Sequence, residues 1–155
     1  MKTIQYLKGD ATAPQAKGIK IITHICNDIG GWGKGFVTAI SKRWKQPEQE
    51  YRDWFKNKEK FNLGEIQIVQ AEGDIWVCNM IAQHKIITHS EVQPIRYDAV
   101  EECLLKLADE ALQYNASVHM PRIGCGLAGG KWEEIEPIIK RTLLAKNVEV
   151  YVYDF

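Results

Sequence analysis

No apolar run in the sequence approaches the roughly 20 residues that cross a bilayer, and the opening stretch MKTIQYLKGD holds no signal-peptide core. A cytoplasmic location with no membrane partner is the expectation. Net charge is missing as well, since 20 Lys and Arg balance 20 Asp and Glu. A polyanion is held by a basic patch that releases its counterions, so bulk electrostatic attachment to nucleic acid or an anionic membrane is disfavoured. The four cysteines, Cys26, Cys78, Cys103 and Cys125, show no CxxC or metal-knuckle spacing. Cys26, Cys78 and Cys103 lie in apolar contexts and read as buried thiols. Repeats, low-complexity tracts and Pro/Ser-rich linkers are absent too, so the 155 residues read as a single domain, 1–155. Oligomeric state leaves no signal.

What is present is an alternation of short strands and amphipathic helices. Runs rich in β-branched and aromatic residues at 3–7, 19–25, 65–71, 75–81, 117–120 and 148–153 predict strands. Gly73-Asp74 marks a turn between antiparallel neighbours. A long helix is expected from Pro94 to Asn115, because Tyr97, Val100, Cys103, Leu104, Leu107, Ala108, Ala111 and Leu112 recur every three or four residues. Trp132, Ile135, Ile138, Ile139 and Leu143 repeat that pattern, and shorter helices are expected over 34–44 and after Pro47. The run IKIITHI, 19–25, is apolar almost throughout, as in a strand buried on both faces. Helices must then cover both sides of the sheet, which predicts an α/β fold, a three-layer α/β/α sandwich with a mixed central sheet. Such sheets take ligands beyond the carboxyl ends of their strands.

Two of the predicted strands run into glycine-rich loops that open helices: HICNDIGGWGKGF, 24–36, and MPRIGCGLAGGKW, 120–132. Exposed backbone N–H groups with a helix dipole behind them suit an anion, and two such loops converging suit a diphosphate. Plain turns are the simpler reading of either loop alone. Gly124, Gly126 and Gly129 also spell G-x-G-x-x-G with Asp154 ending the next strand, but too few βα units follow for a dinucleotide fold. A phosphate-binding P-loop fails on Gly35, where Ser or Thr belongs, and on Asp28, where the first glycine belongs. For a cysteine-dependent phosphatase, Cys125 sits near a helix start that should lower its thiol pKa. The cation six residues on, however, is Lys131, which lacks the fork of arginine. His24, Cys26, His84 and His89 form a metal set with no further carboxylate or cysteine at ligand spacing, so no metal is expected.

YLKGDATAP, HICNDIGGWGKGF, MPRIGCGLAGGKW and VEVYVYDF, in this order and spanning the chain, resemble the macrodomain, the ADP-ribose-binding α/β/α module. The resemblance is to the small stand-alone branch that includes ADP-ribose 1″-phosphate phosphatases and ADP-ribosyl-glutamate hydrolases. It implies that Asp10, with Ala11 beside it, takes the adenine amino group and that Asn27 contacts the distal ribose. It further implies that Gly33, Lys34 and Gly35, with Gly124, Cys125, Gly126 and Leu127, hold the diphosphate through backbone amides. Trp32 would stand within that site. Ester-cleaving members use a lysine past the fourth strand and an aspartate in the second loop. Here Ala128 replaces the acid, and the strand end reads Ala82, Gln83, His84 with Lys85 displaced. The phosphatase type has a histidine three residues before the ribose-binding asparagine, which His24 and Asn27 reproduce as the candidate catalytic pair; a core histidine is the alternative reading of His24. The expected function is therefore removal of the terminal phosphate of ADP-ribose 1″-phosphate without a cofactor. The alternatives are release of ADP-ribose from an ADP-ribosylated macromolecule, or binding of ADP-ribose without turnover. Asp28, His84 and His89 are spare candidates.

Overall fold

A computed structural model describes residues 2–85 and 93–155. In chain order the elements are β1 (Gln5–Lys8), β2 (Lys20–Asn27), α1 (Phe36–Arg43), α2 (Gln46–Asn57), β3 (Ile66–Glu72) and β4 (Ile75–Gln83). They continue with α3 (Tyr97–Tyr114), β5 (Ser117–Met120), α4 (Trp132–Thr142), a 3-10 turn at Leu144–Lys146, and β6 (Val150–Asp154). The strands form one sheet in the order β1-β6-β5-β2-β4-β3. All neighbours are parallel except β3 and β4, which Gly73, at φ +55°, joins as an antiparallel pair. This is a mixed sheet in a three-layer α/β/α sandwich, and every strand and helix expected from the sequence is present.

The period-2 alternation of side chains divides the core between the two faces of the sheet. Ile21, Cys78, Met80, Val118 and Val150 pack with Val100, Leu104, Leu107, Ile135 and Ile139 of α3 and α4. Ile22, Cys26, Val77 and Ile81 face Val37 and Ile40 of α1 and Tyr51 of α2. Ile21 and Ile22, consecutive on β2, are both fully buried, which is why IKIITHI carries almost no polar residue. The three thiols expected in the core, Cys26, Cys78 and Cys103, lie there.

Three local departures from the periodic pattern have physical causes. Helix α3 begins at Tyr97 rather than Pro94, because the Pro94 carbonyl accepts from His84 N–H (2.8 Å) and Ile95 bridges Gln83. Leu112, grouped with the apolar stripe, is 51% exposed on the outer face of α3. In β4 the ladder with β2 slips, with Cys26 opposite Ile81 but Asn27 opposite Gln83, so Ala82 is an extra residue on that strand.

Candidate functional site

One cavity of about 670 Å³ lies beyond the carboxyl ends of β2, β4 and β5. His24, Ile25, Cys26 and Asn27 of β2 and Gln83 of β4 line it. Gly31 to Val37 form one wall, and Pro121 to Gly124 with Gly126 to Ala128 form the other, so the two glycine loops face each other across one cleft. Of the expected site residues, His24, Asn27, Trp32, Gly33, Lys34, Gly35, Gly124, Gly126 and Leu127 meet there. Asp10, Ala11 and Cys125 are not among the lining residues. The Asp10 carboxylate is held in its own turn, where Oδ1 accepts from Thr12 N–H (2.8 Å) and Thr12 Oγ1 (2.7 Å), and Arg43 stands 3.5 Å from Oδ2. Ala11 is buried.

The glycines of the two loops fall into two groups. Gly124 has φ +74°, and a Cβ there would strike the end of Ile95. At Gly130 a Cβ would stand 2.6 Å from the Gly124 carbonyl oxygen, and Gly130 N–H donates to that same oxygen at 2.7 Å. The turn itself requires these residues. Gly33 and Gly126 differ: neither has a left-handed φ, and a Cβ at either meets nothing within 4 Å. Among the described residues nothing in the packing calls for glycine at either position. Among the described residues, the backbone N–H groups of Gly33, Lys34, Gly35, Gly126 and Leu127 donate to no protein acceptor. The cleft is therefore lined by available donors from both sides, with Gly35 as the N-cap of α1.

Charge is arranged to match. Lys34 and Arg122 line the cavity, and among the described residues no carboxylate stands on its wall. Arg122 is fixed by Asp154, whose two oxygens accept from Nε (2.7 Å) and Nη2 (2.9 Å), and its guanidinium lies 5.2 and 5.1 Å from the rings of Tyr6 and Trp132. Asp154 is thus the partner of an arginine on the cavity wall. The sequence reading gave no role to Arg122 or Gln83. The available signal was position, because both stand where parallel strands end.

His24 is buried, with Nε2 2.6 Å from Asn79 Oδ1. Asn79 Nδ2 donates to Gln67 Oε1 (3.0 Å) and the Pro47 carbonyl (3.2 Å), which fixes the amide with its oxygen toward His24. The imidazole therefore carries its proton on Nε2. Burial pushes its pKa down to about 4 against a smaller opposite effect of Asn79, so the ring is neutral near pH 7. Trp32 packs edge-on against it with centroids 5.3 Å apart, its indole N–H held by Ser41 Oγ at 2.8 Å.

The side chain of Asn27 organises the first loop. Its Oδ1 accepts from Ile29 N–H (3.1 Å), Gly31 N–H (2.9 Å) and Tyr51 OH (3.0 Å), while Nδ2 donates to the Gly31 carbonyl (3.0 Å). One Nδ2 proton remains for a ligand.

Cys125 corrects an expectation. Helix α4 begins at Trp132, seven residues further on, so no helix terminus lies beside the thiol. Partial burial raises its pKa instead, against a smaller lowering by Arg122. Of the residues weighed as a metal set, His24 bonds Asn79 and lies beside Cys26, while His84 Nδ1 pairs with Asp28 Oδ2 at 2.7 Å. His89 lies outside the described residues. Among the described residues no three His, Cys, Asp or Glu side chains converge on a common point, and no helix is long and apolar enough to cross a membrane.

Comparison with known proteins places this architecture. The Macro domain family matches residues 23–139. A mouse chromodomain-helicase-DNA-binding protein 1-like (Mus musculus) is 32% identical over 99% of this chain, which spans only 18% of that protein's length. An ADP-ribose 1″-phosphate phosphatase of Lodderomyces elongisporus is 26% identical over 98% of this chain and 99% of its own. A macrodomain protein from Streptomyces coelicolor superposes with a TM-score of 0.87 at 50% identity, covering 98% of this chain and 99% of that one. The facing glycine loops, the mixed sheet and the family match agree, and the chain belongs to the macro domain family.

Proposed function

We propose that this protein binds ADP-ribose, with the diphosphate seated between the two glycine loops, and hydrolyses ADP-ribose 1″-phosphate to ADP-ribose and inorganic phosphate. The observation that carries the binding reading is the pair Gly33 and Gly126, glycines that neither packing nor backbone conformation requires, on facing walls of one cavity. Their unengaged amides, together with Lys34 and Arg122, suit two phosphates of one ligand. The likeness to the Lodderomyces phosphatase over nearly the full length of both chains supports the reaction.

On this reading the remaining Nδ2 proton of Asn27 meets the distal ribose, and His24 forms part of the wall beneath it. A neutral imidazole committed through Nε2–H to Asn79 orients and accepts; it is no proton donor at neutral pH. A second reading, binding without turnover, is favoured by the buried, neutral His24 imidazole that is committed to Asn79. Phosphate release from ADP-ribose 1″-phosphate, measured beside calorimetric titration with ADP-ribose, separates the two. Release with binding supports the phosphatase, binding alone supports the reader, and no binding refutes both.

A further inference from the structure

Strand β4 reads IWVCNMIAQ, and its amide residue Asn79 is fully buried in the middle of that apolar run. An amide there costs free energy unless each of its groups is paired. Asn79 stands opposite His24 on β2 and opposite Gln67 on β3, so the register puts three polar side chains in line across three strands. The far end of the line is anchored on α2. Gln67 Nε2 donates to the Glu50 carbonyl at 3.0 Å, while Asn79 Nδ2 donates to Gln67 Oε1 (3.0 Å) and to the Pro47 carbonyl (3.2 Å). A main-chain carbonyl only accepts, so both amides are oriented from α2, and what reaches His24 Nε2, at 2.6 Å, is the acceptor Asn79 Oδ1. His24 lines the cavity; Asn79 and Gln67 do not. With Nε2 spent on Asn79, the nitrogen left to a ligand is Nδ1, which carries a lone pair and, among the described residues, meets only the Cys26 thiol at 3.9 Å. Burial keeps that thiol protonated, and S–H is a weak donor, so the lone pair is open to a better one.

We infer that Asn79 is a positioning residue of the binding site: through the tautomer it imposes, it makes His24 Nδ1 an acceptor for a hydroxyl of the distal ribose. The inference rests on the reading that the cavity binds ADP-ribose. Three residues further along β2, the remaining Nδ2 proton of Asn27 is a donor on the same wall. A donor and an acceptor on one wall match a sugar hydroxyl, which can both accept and donate. A site built this way discriminates against a ligand that brings no hydroxyl there, because its own polar groups are then left unpaired. The selectivity is set from outside the cavity, by an amide that never touches the ligand.

Long-range nitrogen–proton NMR of the labelled protein at neutral pH, with the His24 signals identified by their loss in His24→Gln, reads both ring nitrogens directly. Expected in wild type are a protonated Nε2 and a bare Nδ1. Saturation with ADP-ribose should shift the Nδ1 resonance, and ADP, which has the diphosphate and lacks the distal ribose, should not. Asn79→Leu, close in volume, removes the acceptor. Calorimetric titration should show it weakening ADP-ribose by about fivefold or more and ADP by less than about twofold. A merely structural role would weaken both alike. A proton on Nδ1 in wild type, or an Nδ1 signal unmoved at saturation with ADP-ribose, overturns the assignment while the binding reading stands; these spectra decide alone should the variant unfold. A folded Asn79→Leu that binds ADP-ribose as wild type does, or loses both ligands equally, overturns it too. Wild type that takes up neither ligand overturns the binding reading and the inference together.

Discussion

The two groups of glycines make opposite predictions about stability and binding. At Gly126 and Gly33 a methyl group enters open space without left-handed strain. Replacement of either by alanine should leave folding intact or stabilise it by about 0.4–1 kcal/mol, because alanine restricts the unfolded chain. On the proposed seating of the diphosphate, the same methyl stands where a phosphate oxygen approaches an amide. Losing one hydrogen bond to a charged oxygen costs about 1.5–3 kcal/mol, so ADP-ribose should bind about 10- to 150-fold more weakly. Gly124→Ala inverts the result. Its φ of +74° and the collision with Ile95 should destabilise the fold by about 1–3 kcal/mol, a fall of about 2–12 °C in melting temperature for a chain of this size. Scanning calorimetry and isothermal titration on the three variants give both quantities. Unchanged affinity in Gly33→Ala and Gly126→Ala, or a melting temperature several degrees lower in either, would refute the claim that these positions are reserved for a ligand.

Two further outcomes are expected. The buried imidazoles of His24 and His119 are pushed down to about 4 and about 3 by desolvation, with Lys20 adding to the effect on His119. Between those values and about 6.5 the unfolded chain binds the extra protons, so stability is complete above about pH 6.5 and falls as pH drops. From pH 7.5 to 5.0 each histidine removes about 2 kcal/mol, about 4 kcal/mol together. The carboxyls of Glu101 and Asp154, held down by Arg141 and Arg122, lose their contribution only below about pH 4.5, so urea denaturation at the two pH values isolates the imidazoles. A loss under about 1 kcal/mol would contradict the burial argument. Trp32 lines the cavity edge-on to His24, and its fluorescence should change saturably with ADP-ribose. The same titration with Trp32→Phe should lose that component, and a spectrum unchanged during calorimetric saturation would remove the indole from the ligand's surroundings.

The fold was legible because its signals are local. Ile19 to Ile25 announces a strand buried on both faces, and α3 writes its stripe at helical spacing through Val100, Cys103, Leu104 and Leu107. The glycine loops were legible for the same reason. Which of their glycines serve the turn and which leave room was not, since that depends on Ile95 and on the facing loop, both distant in sequence. His24 was recognisable as a candidate, but the group that sets its tautomer, Asn79, comes from the neighbouring strand through the β2–β4 register. Asn27 likewise owes its pose to Tyr51, 24 residues away on α2. The expectation for Cys125 failed although the stripe beginning at Trp132 already marks the start of α4, because the seven residues between them form a second turn rather than a helix entry.

The slip in the β2–β4 ladder carries an evolutionary and engineering consequence. Alternation would send Gln83 to the opposite side of the sheet if β4 ran in step with β2 up to its end, and the additional Ala82 prevents this. If the bulge were straightened with Ala82 kept, Ala82 would stand opposite Asn27 and Gln83 would turn out of the cleft, whereas deleting Ala82 would bring the glutamine directly after Ile81 and opposite Asn27 as before. Length changes should therefore be tolerated at the Gly73 hairpin on the opposite end of β4, and loss of Ala82 should be tolerated too, while a further residue inserted before Gln83 should be selected against because it would shift the phase of everything that follows.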